Sequence, residues 1–185
     1  MAVIAEGESL SYGEFNRRVN RLAHWLVERG AGPEVLVAVR VPRSVDLLVA
    51  VYAVVKSGAA YVPLDVDLPE ERVRHVLEGA RPLLVLEGEL PDVSGYPESD
   101  PVRGLGPDHA AYVIFTSGST GGPKGVPVAH RSIMNRIRWG LDHFGVGVED
   151  RVLLSTSASF DVSVPEIFAP LQVGAAVVVA REGGR

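Results

Sequence analysis

Two periods run through the hydrophobic pattern of this chain. Short β-branched runs alternate with longer stretches whose apolar positions lie three and four apart. Val3-Ile4-Ala5 and Ser9-Leu10 flank Glu6-Gly7-Glu8, which predicts a short hairpin. Ser11 and Glu14 have capping-box spacing; Phe15, Val19, Leu22, Ala23 and Leu26 share one helical face, and Gly30 marks the stop. Val35 to Val41 predicts a strand closed by Pro42, and a helix over 44–56 follows with Val45, Leu48, Val49, Tyr52 and Val55 inward. Gly58 ends that helix, and Ala59 to Val62 is the next strand. Pro69 opens a helix carrying Val73, Val76 and Leu77 that ends at Gly79, and Leu83 to Leu86 predicts another strand.

From Glu87 to Asp108 the periodicity gives way to Pro91, Gly95, Pro97, Pro101, Gly104, Gly106 and Pro107. A stretch of this kind is a linker or surface loop. It divides the chain into an N-terminal α/β subdomain over 1–86 and a second, incomplete one over 109–185. Ala110 to Phe115 has the composition of a buried strand, and Val126-Pro127-Val128 is strand-like after it. A helix with Ile133, Ile137 and Leu141 at helical spacing comes next, then a buried strand at Val152-Leu153-Leu154. Ser163 and Glu166 repeat the capping-box spacing ahead of a last helix, with Pro165 in its first turn, and Ala175 to Ala180 is a final strand. Strands alternating with helices imply an α/β fold with mostly parallel sheet flanked by helices.

Charge and composition narrow the partners. Eighteen basic against 23 acidic residues leave a net charge of −5, without a basic run that invites nucleic acid or an anionic membrane. The absence of cysteine excludes disulfides and thiolate metal sites. No apolar run reaches membrane-spanning length and Met1 to Glu6 is too short for a signal peptide, so the expectation is a soluble, cytoplasmic protein. His130 and His143 lack ligand-like spacing to another His, and Arg131, Arg136 and Arg138 read as a solvated helix face.

Two polar stretches carry the chemistry. Between the strand runs at 110–115 and 126–128 lie Thr116-Ser117-Gly118-Ser119-Thr120-Gly121-Gly122-Pro123-Lys124-Gly125. Hydroxyls, close-approaching backbone and one ammonium suit a loop that grips phosphate. A flexible glycine-serine turn has the same composition. It is not a Walker A loop, because Pro123 precedes Lys124 and Gly125 follows it, and no Rossmann fingerprint opens a helix here. The second stretch, Ser155 to Asp161, crosses from a strand to a helix, where open parallel sheets place ligands. Asp161 there reads either as a ligand carboxylate or as a helix N-cap.

The run from Thr116 to Gly125 resembles the signature loop of the AMP-forming adenylating enzymes: acyl-CoA synthetases, firefly-type luciferases and the adenylation domains of nonribosomal peptide synthetases. Leu10 to Asn16, Val55 to Asp65 and Phe160 to Phe168 resemble the first, second and fourth core motifs of the peptide-synthetase branch. The resemblance covers essentially the whole chain but only the N-terminal part of that family's domain, with the N-terminus looking clipped. It implies ATP binding by Thr116, Ser117, Gly118, Ser119, Thr120, Gly121, Gly122 and Lys124, with Lys124 catalytic. It implies a pocket formed by Phe160, Asp161, Val162 and Pro165, with the Asp161 carboxylate pairing the α-ammonium of an amino acid. Fatty-acid and luciferin relatives have no such ammonium, so Asp161 argues for amino acids over other carboxylates.

The implied reaction is amino acid plus ATP to aminoacyl-AMP plus pyrophosphate, followed by transfer to the phosphopantetheine thiol of a peptidyl carrier protein. Magnesium is implied, through residues outside this chain, and so are two further partners: the remainder of the adenylation domain and an MbtH-like helper. The chain alone is expected to be inactive. An acyl-CoA synthetase fragment and a non-catalytic nucleotide-binding module are the alternatives.

Overall fold

A computed structural model describes residues 1–101, 104–117 and 123–181, with the side chain of Ser117 outside the description. The elements run β1 (Val3–Ala5), β2 (Glu8–Leu10), α1 (Tyr12–Glu28), β3 (Leu36–Arg40), α2 (Val45–Lys56), β4 (Ala60–Pro63) and α3 (Glu70–Ala80). They continue with β5 (Val85–Glu87), β6 (Ala110–Ser117), β7 (Pro123–Ala129), α4 (His130–Phe144), β8 (Arg151–Leu154), α5 (Ser163–Gln172) and β9 (Ala176–Val179). The fold is α/β, with helices against two mostly parallel sheets.

One sheet has the order β2-β1-β9-β8 and the other β5-β3-β4-β6-β7. Among the described residues, only the β1–β2 and β6–β7 pairs are antiparallel. β1 pairs with β9, from the far end of the chain, so each sheet draws strands from both sides of the 87–108 segment. The division of the chain at that segment therefore does not separate one sheet from the other. The segment's described residues beyond β5 are irregular, and residues 98–100 lie against α1 and α2. Lys56 Nζ donates to Asn16, Asn20 and Asp100, the last at 2.5 Å, while Arg21 reaches Glu98 and His24 meets the Ser99 carbonyl. The Lys56 ammonium holds the Asp100 carboxyl below its usual range.

α1 forms because its apolar stripe and its cap agree. The Ser11 hydroxyl caps the Glu14 amide, and the Glu14 carboxylate accepts from the Ser11 amide at 2.8 Å. Phe15, Val19, Leu22, Ala23 and Leu26 are all buried, as their spacing predicts. α2 departs from its expected one-sided pattern. Leu47, Ala50, Val51, Ala53 and Val54 are buried as well, whereas Tyr52 and Val55 are only partly so. A helix apolar nearly all round is a buried one, and α2 packs on α1, on β3 and β4 of one sheet and on β1 of the other. Each fully buried side chain of this kind contributes about 1.5–3 kcal/mol of transfer free energy.

Aromatic rings carry that packing across the molecule. Phe15 meets Tyr52 edge-on at 5.1 Å, Tyr52 meets Phe168 of α5 at 4.8 Å, and Tyr61 of β4 lies 5.6 Å from Tyr112 of β6. Tyr52 also donates its hydroxyl to the Ile167 carbonyl at 3.1 Å, which ties α5 to α2.

Two expectations are corrected. β8 is an edge strand: only Leu154 is buried, and Leu153 is 52% exposed. Ser163 is not the cap of α5. That place falls to Val162, and Ser163 turns inward to donate its hydroxyl to the Phe160 carbonyl at 2.6 Å. The three-residue spacing to Glu166 arises because both belong to the helix, with Glu166 free to face the preceding crossing.

Candidate functional site

The β6–β7 hairpin fixes the first half of the site. Its register sets Thr116 opposite Lys124, Ile114 opposite Val126 and Tyr112 opposite Val128. Directly opposed residues in an antiparallel pair project to the same face, and alternation along each strand puts all six on one face. Lys124 therefore continues the row Val128, Val126 toward the loop, beside Thr116. Both are exposed. Pro123 and Pro127 lie on β7, an edge strand, where an absent N–H costs no ladder bond toward a further strand. Of the other loop residues expected to bind phosphate, the Ser117 side chain and Gly118, Ser119, Thr120, Gly121 and Gly122 lie outside the described residues.

Gly125 has a different task from the one its place in the loop motif suggests. A Cβ there would stand 2.9 Å from the Phe115 ring and 3.1 Å from Val113. Its missing side chain makes room for Phe115, which also packs within reach of Gly79 on α3. This close approach is legible only from the register, not from composition.

The β8–α5 crossing supplies the second half. Glu166, one turn into α5, reaches back to it. One carboxylate oxygen accepts from the Ser155 and Thr156 amides at 3.0 Å each, and the other accepts from the Thr156 hydroxyl at 2.7 Å. Ser157 donates its hydroxyl to Asp65 at 2.6 Å, which ties the crossing to the loop after β4.

Hairpin and crossing face one another across a cleft of about 500 Å³. Thr116, Phe160 and Asp161, three of the expected site residues, line it together, and Tyr112, Asp65 and Arg72 join them. Burial, and after it the Asp161 carboxylate, raises the Tyr112 phenol above its ordinary value of 10.0. Asp161 itself is exposed, between Phe160 at 64% and Val162 at 61% exposure. Val162 and the half-buried Pro165 are not among the residues lining this cleft. Asp65 ends the stretch that resembles the second core motif, which reads as packing and turn chemistry, and Arg72 lies in the helix opened by Pro69; the sequence gives neither a site role.

The donor set at the hairpin end, an ammonium and a hydroxyl on one face, fits an anionic group such as a phosphate. Among the described residues no cluster of three or more His, Asp or Glu side chains could hold a metal ion. No helix among them is long and apolar enough to cross a membrane.

Comparison with known proteins places the chain among relatives. Enterobactin synthase component F of Escherichia coli (strain K12) is 44% identical over 92% of this chain and 14% of that protein. The dimodular nonribosomal peptide synthase of Bacillus subtilis (strain 168) is 37% identical over 98% of this chain and 9% of that protein. Among solved structures, the nonribosomal peptide synthetase FmoA3 in its alpha-methyl-L-serine-AMP bound form superposes with a TM-score of 0.89 at 36% identity. That match covers 97% of this chain and 22% of the other, and the AMPPNP-bound form of FmoA3 gives the same TM-score. The chain thus spans less than a quarter of the length of each of these relatives. The family model for AMP-binding enzymes matches residues 1–185, and the chain belongs to that family.

Proposed function

We propose that this chain forms part of an amino-acid-activating adenylation domain of a nonribosomal peptide synthetase. The observation that carries the reading is the meeting of Thr116 and Asp161 on one cleft, with Lys124 in the same cross-strand row as the cleft's hairpin wall. Family membership and relatives that are peptide synthetases support it. The likeness to FmoA3 in its alpha-methyl-L-serine-AMP bound form, over 22% of that chain, supports it too.

In this reading Asp161 pairs with the α-ammonium of the amino acid and Phe160 bounds the side chain, while Val162 and Pro165 contribute further pocket surface. A carboxylate oxygen of the substrate attacks the α-phosphorus of ATP. The bond from that phosphorus to the bridging oxygen breaks, and pyrophosphate leaves. Thr116, Ser117, Gly118, Ser119, Thr120, Gly121 and Gly122 bind the β- and γ-phosphates, and Lys124 stabilises the charge that grows on the leaving group. Magnesium supplies further charge neutralisation when bound, through residues outside this chain. A carrier-protein thiol then attacks the acyl carbonyl and releases AMP.

The exposed Asp161 has a consequence for this assignment. An ion pair in open water is worth little, so the remainder of the adenylation domain supplies the wall that covers it. The test is exchange of labelled pyrophosphate into ATP, on this chain and on the intact synthetase, with a panel of amino acids. Exchange by the intact enzyme with one amino acid is the expected result. ATP binding without exchange for any amino acid contradicts the proposal.

A further inference from the structure

We propose that Glu166 and Asp65 are positioning residues that hold the β8–α5 crossing so that Asp161 faces the cleft. This rests on the adenylation reading above. The crossing needs holding because its own backbone does little of it. Beyond β8, its backbone bonds, Phe160 N to Ser157 O at 3.0 Å, Ser163 N to Phe160 O at 3.0 Å and Val164 N to Asp161 O at 3.1 Å, join it only to itself and to the first residues of α5.

The fixing is done by two carboxylates, one at its start and one near its middle. Glu166 takes three hydrogen bonds from Ser155 and Thr156, which joins the start of the crossing to the first turn of α5. α5 is in turn anchored on α2 and β4, where Tyr52 bonds the Ile167 carbonyl and Phe168 lies 6.3 Å from Tyr61. Asp65 takes the Ser157 hydroxyl, and the same Ser157 oxygen accepts from the Ser159 amide at 3.2 Å. That chain joins the middle of the crossing to the loop after β4, on the opposite bank. Asp161 follows two residues after Ser159. All four groups that bond Glu166 and Asp65 are donors, so the demand is for acceptor oxygens in fixed places rather than for charge as such.

This predicts a signature that a merely structural role would not leave. In the intact synthetase, Glu166→Ala raises the KM for the amino acid about 10- to 100-fold while the KM for ATP and kcat change little. Glu166→Gln restores it, because an amide oxygen can take both backbone N–H groups and its NH₂ can face the Thr156 hydroxyl. Asp65→Ala raises the same KM by a smaller factor and Asp65→Asn restores it. Asp65→Ala leaves α5 untouched, so it carries the test if Glu166→Ala does not fold.

Peptide-resolved hydrogen exchange over 152–160 supplies a readout independent of activity, with protection lost in Glu166→Ala and kept in Glu166→Gln. Unchanged protection in Glu166→Ala overturns the proposal, and so does lost protection with an unchanged amino-acid KM. If the unmodified synthetase exchanges pyrophosphate with no amino acid, it is the adenylation reading that fails, and the clamp is judged by protection alone.

Discussion

The hairpin and the crossing present polar groups to the same cleft but hold them by opposite means. In the hairpin the main chain does the work: an unbroken register from Tyr112–Val128 to Ser117–Pro123 sets Thr116 beside Lys124. In the crossing there is no ladder, and side-chain carboxylates from α5 and from the loop after β4 take its place. The difference teaches where each half is vulnerable. Substitutions that spare the backbone leave the hairpin's geometry intact and remove only the group deleted, whereas one side chain in the crossing can release several residues at once.

If the halves also divide the chemistry, phosphate at the hairpin and amino acid at the crossing, then Lys124→Ala separates them most sharply. In the intact enzyme it lowers kcat for pyrophosphate exchange roughly 100- to 1,000-fold, while amino-acid binding measured by calorimetry is retained. A loss of amino-acid affinity of the same size erases the division.

Next in size is Gly125→Ala. It drives a methyl into the Phe115 ring, so the hairpin must shift, with an expected loss of about 1–3 kcal/mol in urea unfolding. Gly95→Ala, where a Cβ meets nothing within 4 Å, is the control and stays within about 0.5 kcal/mol. Equal effects at the two positions refute the close-packing role of Gly125.

The smallest effect concerns His130 at the start of α4. Burial, then the neighbouring His109, lowers its pKa from the ordinary 6.5, and its buried Nε2 has no hydrogen-bond partner among the described residues. Above 6.5 both folded and unfolded chains hold it neutral. As pH falls below that value the unfolded chain binds the proton more readily, so stability declines until the depressed folded pKa is passed. Unfolding midpoints compared at about pH 8 and about pH 5.5 are expected to drop further in the unmodified chain than in His130→Gln. An equal drop assigns the pH dependence elsewhere.

What the sequence made legible follows the same divide. The capping box at Ser11 and Glu14, the buried face of α1 and the two strands flanking the glycine-rich stretch are local, and spacing along the chain reports local geometry. The pairing of β1 with β9 was not legible, because nothing in either three- or four-residue run specifies a partner so distant in sequence. Glu166 was misread for an instructive reason. Its offset from Ser163 copies a capping box, but the amides it satisfies lie ten and eleven residues upstream, across the crossing. Asp161 was legible as a candidate and not as environment. Its residue type and motif mark it, whereas its exposure depends on what stands above it.

The account turns on whether Asp161 reads the α-ammonium group. The most direct measurement is binding of the preferred amino acid and of its deaminated analogue to the intact synthetase and to its Asp161→Ala variant. The prediction is that the unmodified enzyme prefers the amino acid and that Asp161→Ala abolishes this preference, a coupling of about 2–5 kcal/mol between carboxylate and ammonium. An undiminished preference in Asp161→Ala would place the ammonium elsewhere and contradict the account.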